Sequence, residues 1–346
     1  MTDLIISCYD KFNLLAHLPR GEENNNHFVF NGKTYTFPEI YNPAYILIHP
    51  KSQYIYICNE SIYNGSLSTF SFDDNKTLKL IKTVSSKGKS SCYLCFDKMM
   101  KNIININYWD STISVHPLKN NIIQEATQVM YPNIDNNMNN IEDHLKDRQR
   151  TSHHHSCVFK DNYLFVPDLG TDTIDIYTYI KETLEFKCFF QLPKGSGPRY
   201  SIVEKEYLYV INELSSSISV IKLINNLPNE IIQNISTIPE NILNKNTCGT
   251  IQIHPNKDYM YASNRGHDSI AIYKILENNK LKLINITKTG GNTPRHFSIN
   301  NIGDKLYVAN QDSNKCVTFN INSDGTLEIQ NDTIKINSPN FILKFA

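Results

Sequence analysis

The stretch CGTIQIHPNKDYMYASNRG, residues 248–266, decides the fold. It opens on small residues, continues as a short apolar strand, turns at His254 and Pro255, and ends in a second strand. Within 259–264, tyrosine and serine at odd positions interleave with methionine, alanine and asparagine at even positions. A period of two sends neighbouring side chains to opposite faces of a pleated strand, so the pattern predicts β-structure and not a helix.

Variants of this stretch recur along the whole chain. They begin near residues 42, 90, 152, 197, 248, 293 and 338, at separations of 45 to 62 residues. In the fifth copy two further strands are predicted after the quoted stretch, at 269–273 and 281–287. Four short strands in a unit of about 45 residues are typical of a blade of a β-propeller. Seven starts therefore predict an all-β, seven-bladed propeller of four-stranded blades that forms a single domain over residues 1–346.

The ends of the chain are predicted to close the ring. The copy that starts at residue 338 has room for one strand, and LIISCYD (4–10) and NLLAHLP (13–19) are candidates for the strands it lacks. Pairing N- and C-terminal strands would remove the exposed edges that an open sheet leaves.

Composition argues against several classes of function. Thirty-four basic and 34 acidic residues give a net charge of zero, and no basic stripe indicates a nucleic-acid partner. No window approaches the roughly 18 apolar residues of a membrane span, and the N-terminus lacks the pattern of a signal peptide. Cys92 and Cys95 would point to opposite faces of one strand, so we expect reduced thiols and a cytoplasmic location.

A charged run and a histidine run are both predicted not to form a metal site or a partner surface. The charged run EDHLKDRQR (142–150), inside an insertion at 130–150, is predicted to be a solvated loop. In the histidine run at 153–155 only His153 and His155 share a strand face, and two histidines without a matching carboxylate motif make a poor metal site. Motifs for a serine nucleophile elbow, a P-loop, a zinc hydrolase and a dinucleotide site are all missing from the sequence. We expect no cofactor and no metal.

The repeat itself predicts where polar side chains converge. Equivalent positions of a propeller form a ring around its central channel. The openings of the inner strands supply His153, His155, Arg199, Thr250, Arg295 and His296, and the turns after the second strands supply Asn59, Glu60, Asp168, Asn212, Glu213, Asn264, Arg265, Asn310 and Gln311. Arginine suits a carboxylate or phosphate, while histidine and glutamate suit proton transfer.

A purely structural role is the alternative for these groups, because buried polar side chains often satisfy backbone groups of a neighbouring blade. That role is the preferred interpretation for Asn59, Asp168, Asn212, Asn264 and Asn310. Three arginines in one mouth favour an anion instead, because uncompensated buried charges are costly. For His155 and Glu213 both interpretations stay open, and His296 could pack beneath the mouth.

Four pairs of strings then carry a resemblance to a known family. They are HHHSCVF with LFVPDLGTDTIDIY, GPRYSIV with LYVINELSSSISV, IQIHP with YMYASNRGHDSIAIY, and TPRHFSI with LYVANQDSNKCVTF. Together they resemble the lactonase family of seven-bladed propellers, which contains bacterial-type 6-phosphogluconolactonase and the fungal carboxy-cis,cis-muconate cyclase. The chain departs from the usual family pattern at His154 and Tyr200 and in a degenerate second repeat.

The resemblance implies cofactor-free hydrolysis of a small anionic lactone, with 6-phosphogluconolactone as the expected substrate. It implies catalytic roles for His155, Glu213, Arg199 and Arg265, with either His155 or Glu213 activating the water. We expect His153, Arg295, His296 and Asn310 to contact the substrate. Two alternatives stay open: a muconate cyclase that uses the same residues, and a non-catalytic protein-binding platform. Against the platform, Trp109-Asp110 is the only Trp-Asp pair, whereas a WD40 array would repeat it.

Overall fold

Seven antiparallel sheets follow one another in the computed structural model of the protein, which describes residues 3–9, 28–132, 145–240, 242 and 246–345. Six of these sheets have four strands and one has five. The predicted seven-bladed propeller is therefore confirmed. No helix in this part of the chain has the length and apolar character needed to cross a membrane.

The strands are short and regularly spaced. Three strands precede the first sheet that is continuous in sequence: β1 (Leu4–Cys8), β2 (Phe28–Phe30) and β3 (Lys33–Tyr35). Blade 1 comprises β4 (Pro43–Ile48), β5 (Tyr54–Asn59), β6 (Ser66–Phe72) and β7 (Leu78–Ser85); blade 2 comprises β8 (Ser91–Phe96), β9 (Asn102–Asn107), β10 (Ile113–Lys119), β11 (Ile122–Ile123) and β12 (Gln128–Met130); blade 3 comprises β13 (Val158–Lys160), β14 (Tyr163–Asp168), β15 (Thr173–Ile180) and β16 (Thr183–Gln191). Blade 4 comprises β17 (Pro198–Glu204), β18 (Tyr207–Asn212), β19 (Ser217–Ile224) and β20 (Leu227–Ser236); blade 5 comprises β21 (Thr247–Ile253), β22 (Tyr259–Arg265), β23 (Ser269–Ile275) and β24 (Leu281–Lys288); blade 6 comprises β25 (Pro294–Ile299), β26 (Lys305–Asn310), β27 (Lys315–Ile321) and β28 (Leu327–Lys335).

Blade 7 joins the two ends of the chain. Its strand order is β29 (Pro339–Lys344), β1, β2, β3, and Ile6 of β1 lies opposite Ile342 of β29. The predicted closure by N- and C-terminal strands is thus confirmed. The outer strands β2 and β3 come from residues that the sequence analysis had not selected, and the predicted strand at 13–19 lies outside the described residues.

Blade-to-blade packing explains the alternation in the second strands. In β22, Tyr261 packs with Phe297 and other residues shared between blades 5 and 6, whereas Met260 packs with Tyr209 between blades 4 and 5. Both faces of this strand are therefore buried, and large side chains occupy both. The outermost strand β24 instead exposes most of its residues.

A positive-φ residue followed by a β-bulge recurs at the start of the inner strands and directs side chains toward the channel. In blades 1, 2, 4, 6 and 7 the inner strand follows a residue with positive φ, namely Asn42, Ser90, Gly197, Thr293 and Ser338. The register of each of these strands then shifts, which leaves one residue without an opposite partner. A bulge re-aims the side chain of its extra residue. The extra residues are Ala44, Cys92, Arg199, Arg295 and Asn340.

The insertion after blade 2 differs from its prediction. Gln149 is buried, and its amide donates to the Leu169 carbonyl oxygen at 2.9 Å and to the Asp172 carboxylate at 2.8 Å. Arg148 forms an ion pair with buried Glu213. The predicted solvated loop is therefore wrong for Arg148 and Gln149, because internal carboxylate and carbonyl groups bind them.

Candidate active site

The unpaired bulge residues line one cavity. About 290 Å³ of space free of protein atoms lies there, and this figure includes open solvent. All five of these residues contribute to its wall. The titratable or charged groups of this wall include Tyr9, Glu60, His155, Arg199, Arg295 and His296. The structure thus brings together four of the predicted site residues, His155, Arg199, Arg295 and His296.

Beside this cavity, Glu213 lies at the centre of a cluster of arginines. Its carboxylate accepts hydrogen bonds from Arg199 and from Arg148, each at 2.5 Å, and forms an ion pair with Arg265 at 2.7 Å. The Glu213 side chain is only 2% exposed. Burial acts to raise the pKa of Glu213, but Arg265, Arg148 and Arg199 outweigh it and hold this pKa well below its usual range. Glu213 is therefore ionised at neutral pH.

Arg265 is held from two sides. Besides its bond to Glu213, it donates to the Cys248 carbonyl oxygen through Nε at 3.2 Å and through Nη2 at 2.6 Å. The Arg265 side chain is absent from the cavity wall described above. Arg265 and Glu213 therefore do not line this cavity, and Arg199 both lines it and pairs with Glu213.

His155 lies in the wall of the cavity between two aromatic rings. The ring centroids of Tyr108 and Tyr200 are 5.2 Å and 5.4 Å from its own, and both contacts are edge-on. The Nδ1 atom of His155 is buried and finds no hydrogen-bond partner in the described part of the chain. Burial, reinforced by Arg199, holds the pKa of His155 well below its usual value. The imidazole is therefore neutral.

Glu60 forms a second acidic position in the cavity. Tyr9 donates its hydroxyl to Oε2 of Glu60 at 2.8 Å. The Arg295 guanidinium lies over the Tyr9 ring at 5.2 Å from its centroid. Burial raises the pKa of Glu60 above its usual value, although Arg295 and Tyr9 act in the opposite direction. The surroundings thus favour the protonated form of Glu60 and the ionised form of Glu213.

The remaining predicted contacts have structural partners. His153 is absent from the cavity wall; it stacks on Tyr108 at 4.7 Å and shares a hydrogen bond with the Tyr108 carbonyl oxygen. His296 lines the cavity but stacks on Phe341 at 3.9 Å, and burial lowers its pKa to about 3. Asn310 is buried and donates to the Thr289 carbonyl oxygen at 3.4 Å.

Asparagines at the turns make the hydrogen bonds expected of a structural role. Asn264 donates to the carbonyl oxygen of Thr237, which follows blade 4, and so ties blade 5 to its neighbour. Asn59 and Asn212 each donate to two serine hydroxyls of their own blade. These contacts agree with the structural interpretation of the sequence.

A buried cluster forms at His154, the middle residue of the histidine run. His154 Nε2 lies 3.2 Å from Asp175 Oδ2 and 3.7 Å from Asp168 Oδ2. One histidine and two carboxylates within 4.8 Å have the composition of a metal site. However, Asp168 already accepts bonds from the Ser152 hydroxyl and from several backbone N–H groups, and Asp175 accepts from Thr173. Both carboxylates are therefore already engaged as acceptors within the protein, and His154 pairs with them through Nε2, whereas its buried Nδ1 has no partner among the described residues.

This cluster makes stability depend on pH. Burial opposes the charge on His154, but Asp175 and Asp168 raise its pKa above the usual 6.5. Because the raised pKa belongs to the folded state, the stabilisation is complete below pH about 6.5 and is lost as pH rises through the folded pKa. We expect His154→Gln to lose stability mainly at low pH. Thermal unfolding of both proteins between pH 5 and 9 measures this, and a constant difference in melting temperature would contradict it.

Sequence reasoning missed three groups. Arg148 was assigned to a solvated loop, and Tyr9 and Asn340 were not considered. A signal for Asn340 was present: Asn340 follows a proline, as Arg199 and Arg295 do. In four blades the residue after the first proline of the inner strand is the unpaired bulge residue.

The sequence profile described as "Lactonase, 7-bladed beta-propeller" matches residues 31–344. The chain belongs to this lactonase family. The match covers every strand from β3 to β29. All residues that line the cavity except Tyr9 lie within the matched range.

Several relatives of this lactonase-family chain are known. A protein named 6-phosphogluconolactonase from Formosa agariphila is 31% identical over 300 residues, which are 81% of this chain and 81% of that protein. An uncharacterized protein from Lactococcus lactis subsp. cremoris is 31% identical over 287 residues, again 81% of each chain. A crystal structure from Bacteroides fragilis, provisionally assigned as a 6-phosphogluconolactonase, superposes with a TM-score of 0.83 at 26% identity and covers 98% of this chain and 96% of its own.

Proposed function

We propose that this lactonase-family protein hydrolyses a small anionic lactone, with 6-phosphoglucono-δ-lactone as the best candidate. The observation that carries the proposal is an excess of positive charge at and beside one cavity. Arg148, Arg199 and Arg265 surround one carboxylate, Glu213, and Arg295 adds a fourth guanidinium near Glu60. The facing carboxyl groups are Glu213, Glu60 and the exposed Asp312, which interacts with Arg295 and Arg265. Four guanidinium groups against three carboxyl groups still leave an excess of positive charge for a ligand to balance.

Two of the four arginines can meet that ligand directly. Arg199 and Arg295 both line the cavity. The Nε atom of Arg199 is buried and has no partner among the described residues. A guanidinium fork suits a phosphate or carboxylate, and a buried, unpartnered donor costs free energy until an acceptor arrives. An anionic substrate would supply this acceptor.

The same groups suit the chemistry of lactone opening. Water attacks the carbonyl carbon, and negative charge develops on the carbonyl oxygen. A fixed guanidinium in a cavity that excludes most water stabilises this charge strongly. His155 is neutral and accepts the proton of the attacking water. Glu213 is ionised and bound by three arginines, so we assign it the task of orienting Arg199 rather than of activating water.

Substrate choice provides the first test. With purified protein and freshly prepared 6-phosphoglucono-δ-lactone, we expect hydrolysis well above the buffer blank. Glucono-δ-lactone lacks the phosphate, so its kcat/KM should be lower by about 10- to 150-fold, the range expected for a hydrogen bond to a charged group. A pH-stat assay measures both.

Three outcomes are informative. Hydrolysis of neither lactone removes the proposal. Equal hydrolysis of both lactones contradicts the role of the positive cavity. If a carboxylated muconate loses its diene absorbance in the presence of the protein while both lactones stay intact, the cyclase alternative replaces the hydrolase.

A further inference from the structure

Two glutamates approach the channel, and their surroundings differ. The carboxylate of Glu213 is bonded to three arginines. Within the described residues, the carboxyl group of Glu60 has one hydrogen-bond donor, the Tyr9 hydroxyl. Both side chains are buried. A carboxyl group with a single donor is the one that can exchange a proton with a ligand.

The two glutamates also differ in whether they line the cavity. Glu60 lines the cavity together with His155, Arg199 and Arg295. Glu213 is absent from this wall and pairs with Arg199, which is part of the wall. Glu60 is therefore the glutamate whose carboxyl group faces this cavity among the described residues.

Protonation of Glu60 fits this position. Burial raises its pKa, and the opposing influences are Arg295, the Tyr9 hydrogen bond and Arg199. The other titratable groups that interact with Glu60 are the thiols of Cys58 and Cys92, and burial keeps both neutral. Because Tyr9 donates to Oε2, the proton of a neutral Glu60 lies on Oε1.

We propose that Glu60 is the general acid of the lactone hydrolysis, with Tyr9 as its positioning residue. The inference rests on the proposed function and adds a catalytic group from blade 1 to those of the third and fourth repeats. His155 and Glu60 divide the work: one neutral imidazole takes a proton and one neutral carboxyl group gives a proton. The surroundings shift the two pKa values in opposite directions, that of Glu60 upward and that of His155 downward, and each shift favours the neutral form of its group.

The steps balance in atoms and charge. A ring nitrogen of His155 takes one proton of the attacking water, and the new C–O bond forms at the lactone carbonyl. The bond from this carbon to the ring oxygen breaks, and the ring oxygen takes the proton of Glu60 to become a hydroxyl. The product acid ionises to a carboxylate and releases one proton to solvent. Proton transfer from the imidazolium to the Glu60 carboxylate restores both groups.

The variant Glu60→Gln tests the proposal. Glutamine keeps the size of the side chain and can still accept from Tyr9, but it has no acidic proton. We expect kcat/KM for 6-phosphoglucono-δ-lactone to fall by about 10²- to 10⁴-fold at neutral pH, the usual contribution of a general acid. We also expect the alkaline limb of the pH–rate profile to disappear. Glu206→Gln is the matched control, because Glu206 lies in an exposed pair with Lys160, and its kinetics should equal those of the wild type.

Tyr9→Phe separates an acid from a merely structural glutamate. The Tyr9 hydrogen bond favours the ionised form of Glu60. Its removal should therefore move the alkaline limb of the kcat/KM profile to higher pH. A structural role for Glu60 predicts no movement of this limb. An unchanged limb in Tyr9→Phe together with an unchanged profile in Glu60→Gln would overturn the inference.

A measurement without substrate keeps this inference distinct from the proposed function. The infrared difference spectrum of wild type minus Glu60→Gln at pH 7 should contain the carbonyl stretch of a protonated carboxylic acid. Its absence overturns the role of Glu60 as an acid, even if the wild type is an active lactonase. If the band is present but the wild type hydrolyses no lactone, the proposed function fails and Glu60 remains a protonated cavity group without this role.

Discussion

Replacing Glu213 by glutamine is expected to lower the free energy of unfolding by about 3–5 kcal/mol, the usual cost of removing one partner from a buried ion pair. Glu213 is 2% exposed and is the carboxylate shared by Arg148, Arg199 and Arg265. Without its charge, three guanidinium groups repel one another in a place where water screens them poorly. Urea denaturation followed by circular dichroism measures the effect.

A surface glutamate provides the control for Glu213. Glu206 pairs with Lys160, and its side chain is 55% exposed. We expect Glu206→Gln to change stability by less than about 1 kcal/mol, as is usual for exposed pairs. If Glu213→Gln were as stable as Glu206→Gln, the arginine cluster would not depend on Glu213, and its role as an anchor would be wrong.

Arg199→Ala is expected to have the largest effect on turnover. Arg199 is the arginine that both binds Glu213 and lines the cavity. Loss of one preorganised donor to a developing oxyanion costs about 10²- to 10³-fold in kcat, and loss of the anion contact lowers kcat/KM further. We expect kcat/KM for the phosphorylated lactone to fall by at least about 10³-fold. Steady-state kinetics with the blank subtracted measure it.

Stability should respond less than turnover in this variant. After removal of Arg199, Glu213 still has Arg148 and Arg265 as partners. Arg199→Lys keeps the charge but loses the planar fork, so it should retain most of the stability and little of the activity. Arg150→Ala changes a side chain that is 70% exposed and should match the wild type in both respects. An Arg199→Lys enzyme with full activity would show that charge alone suffices.

The fold was predictable because each blade repeats the same physical problem. Both faces of the second strands must be buried against neighbouring blades, and this leaves a recurring apolar pattern. In the fifth unit the pattern comprises Tyr259, Met260 and Tyr261, and similar patterns recur at the same place in other units. Closure followed from the single strand at the end of the last repeat. Strands β2 and β3 were missed because Phe28–Phe30 and Lys33–Tyr35 are too short to show a period.

The site was predictable only in part, for a related reason. Residues that repeat with the blades, such as Arg199, Glu213 and Arg295, could be placed in one ring from their spacing. Arg148 reaches Glu213 from an insertion that has no counterpart in the other repeats. Tyr9 directly follows β1 and is 51 residues away in sequence from its partner Glu60. Contacts between residues outside the repeat cannot be predicted from the periodic pattern of the sequence.

Ring closure also sets the moment at which the pocket can exist. Tyr9 precedes Asn340 and Phe341, which share its cavity, by more than three hundred residues. A growing chain can pair the strands of its early blades, but the wall between blades 7 and 1 stays open until β29 pairs with β1. A chain that stopped short of β29 would fold in large part and still lack this wall of the cavity.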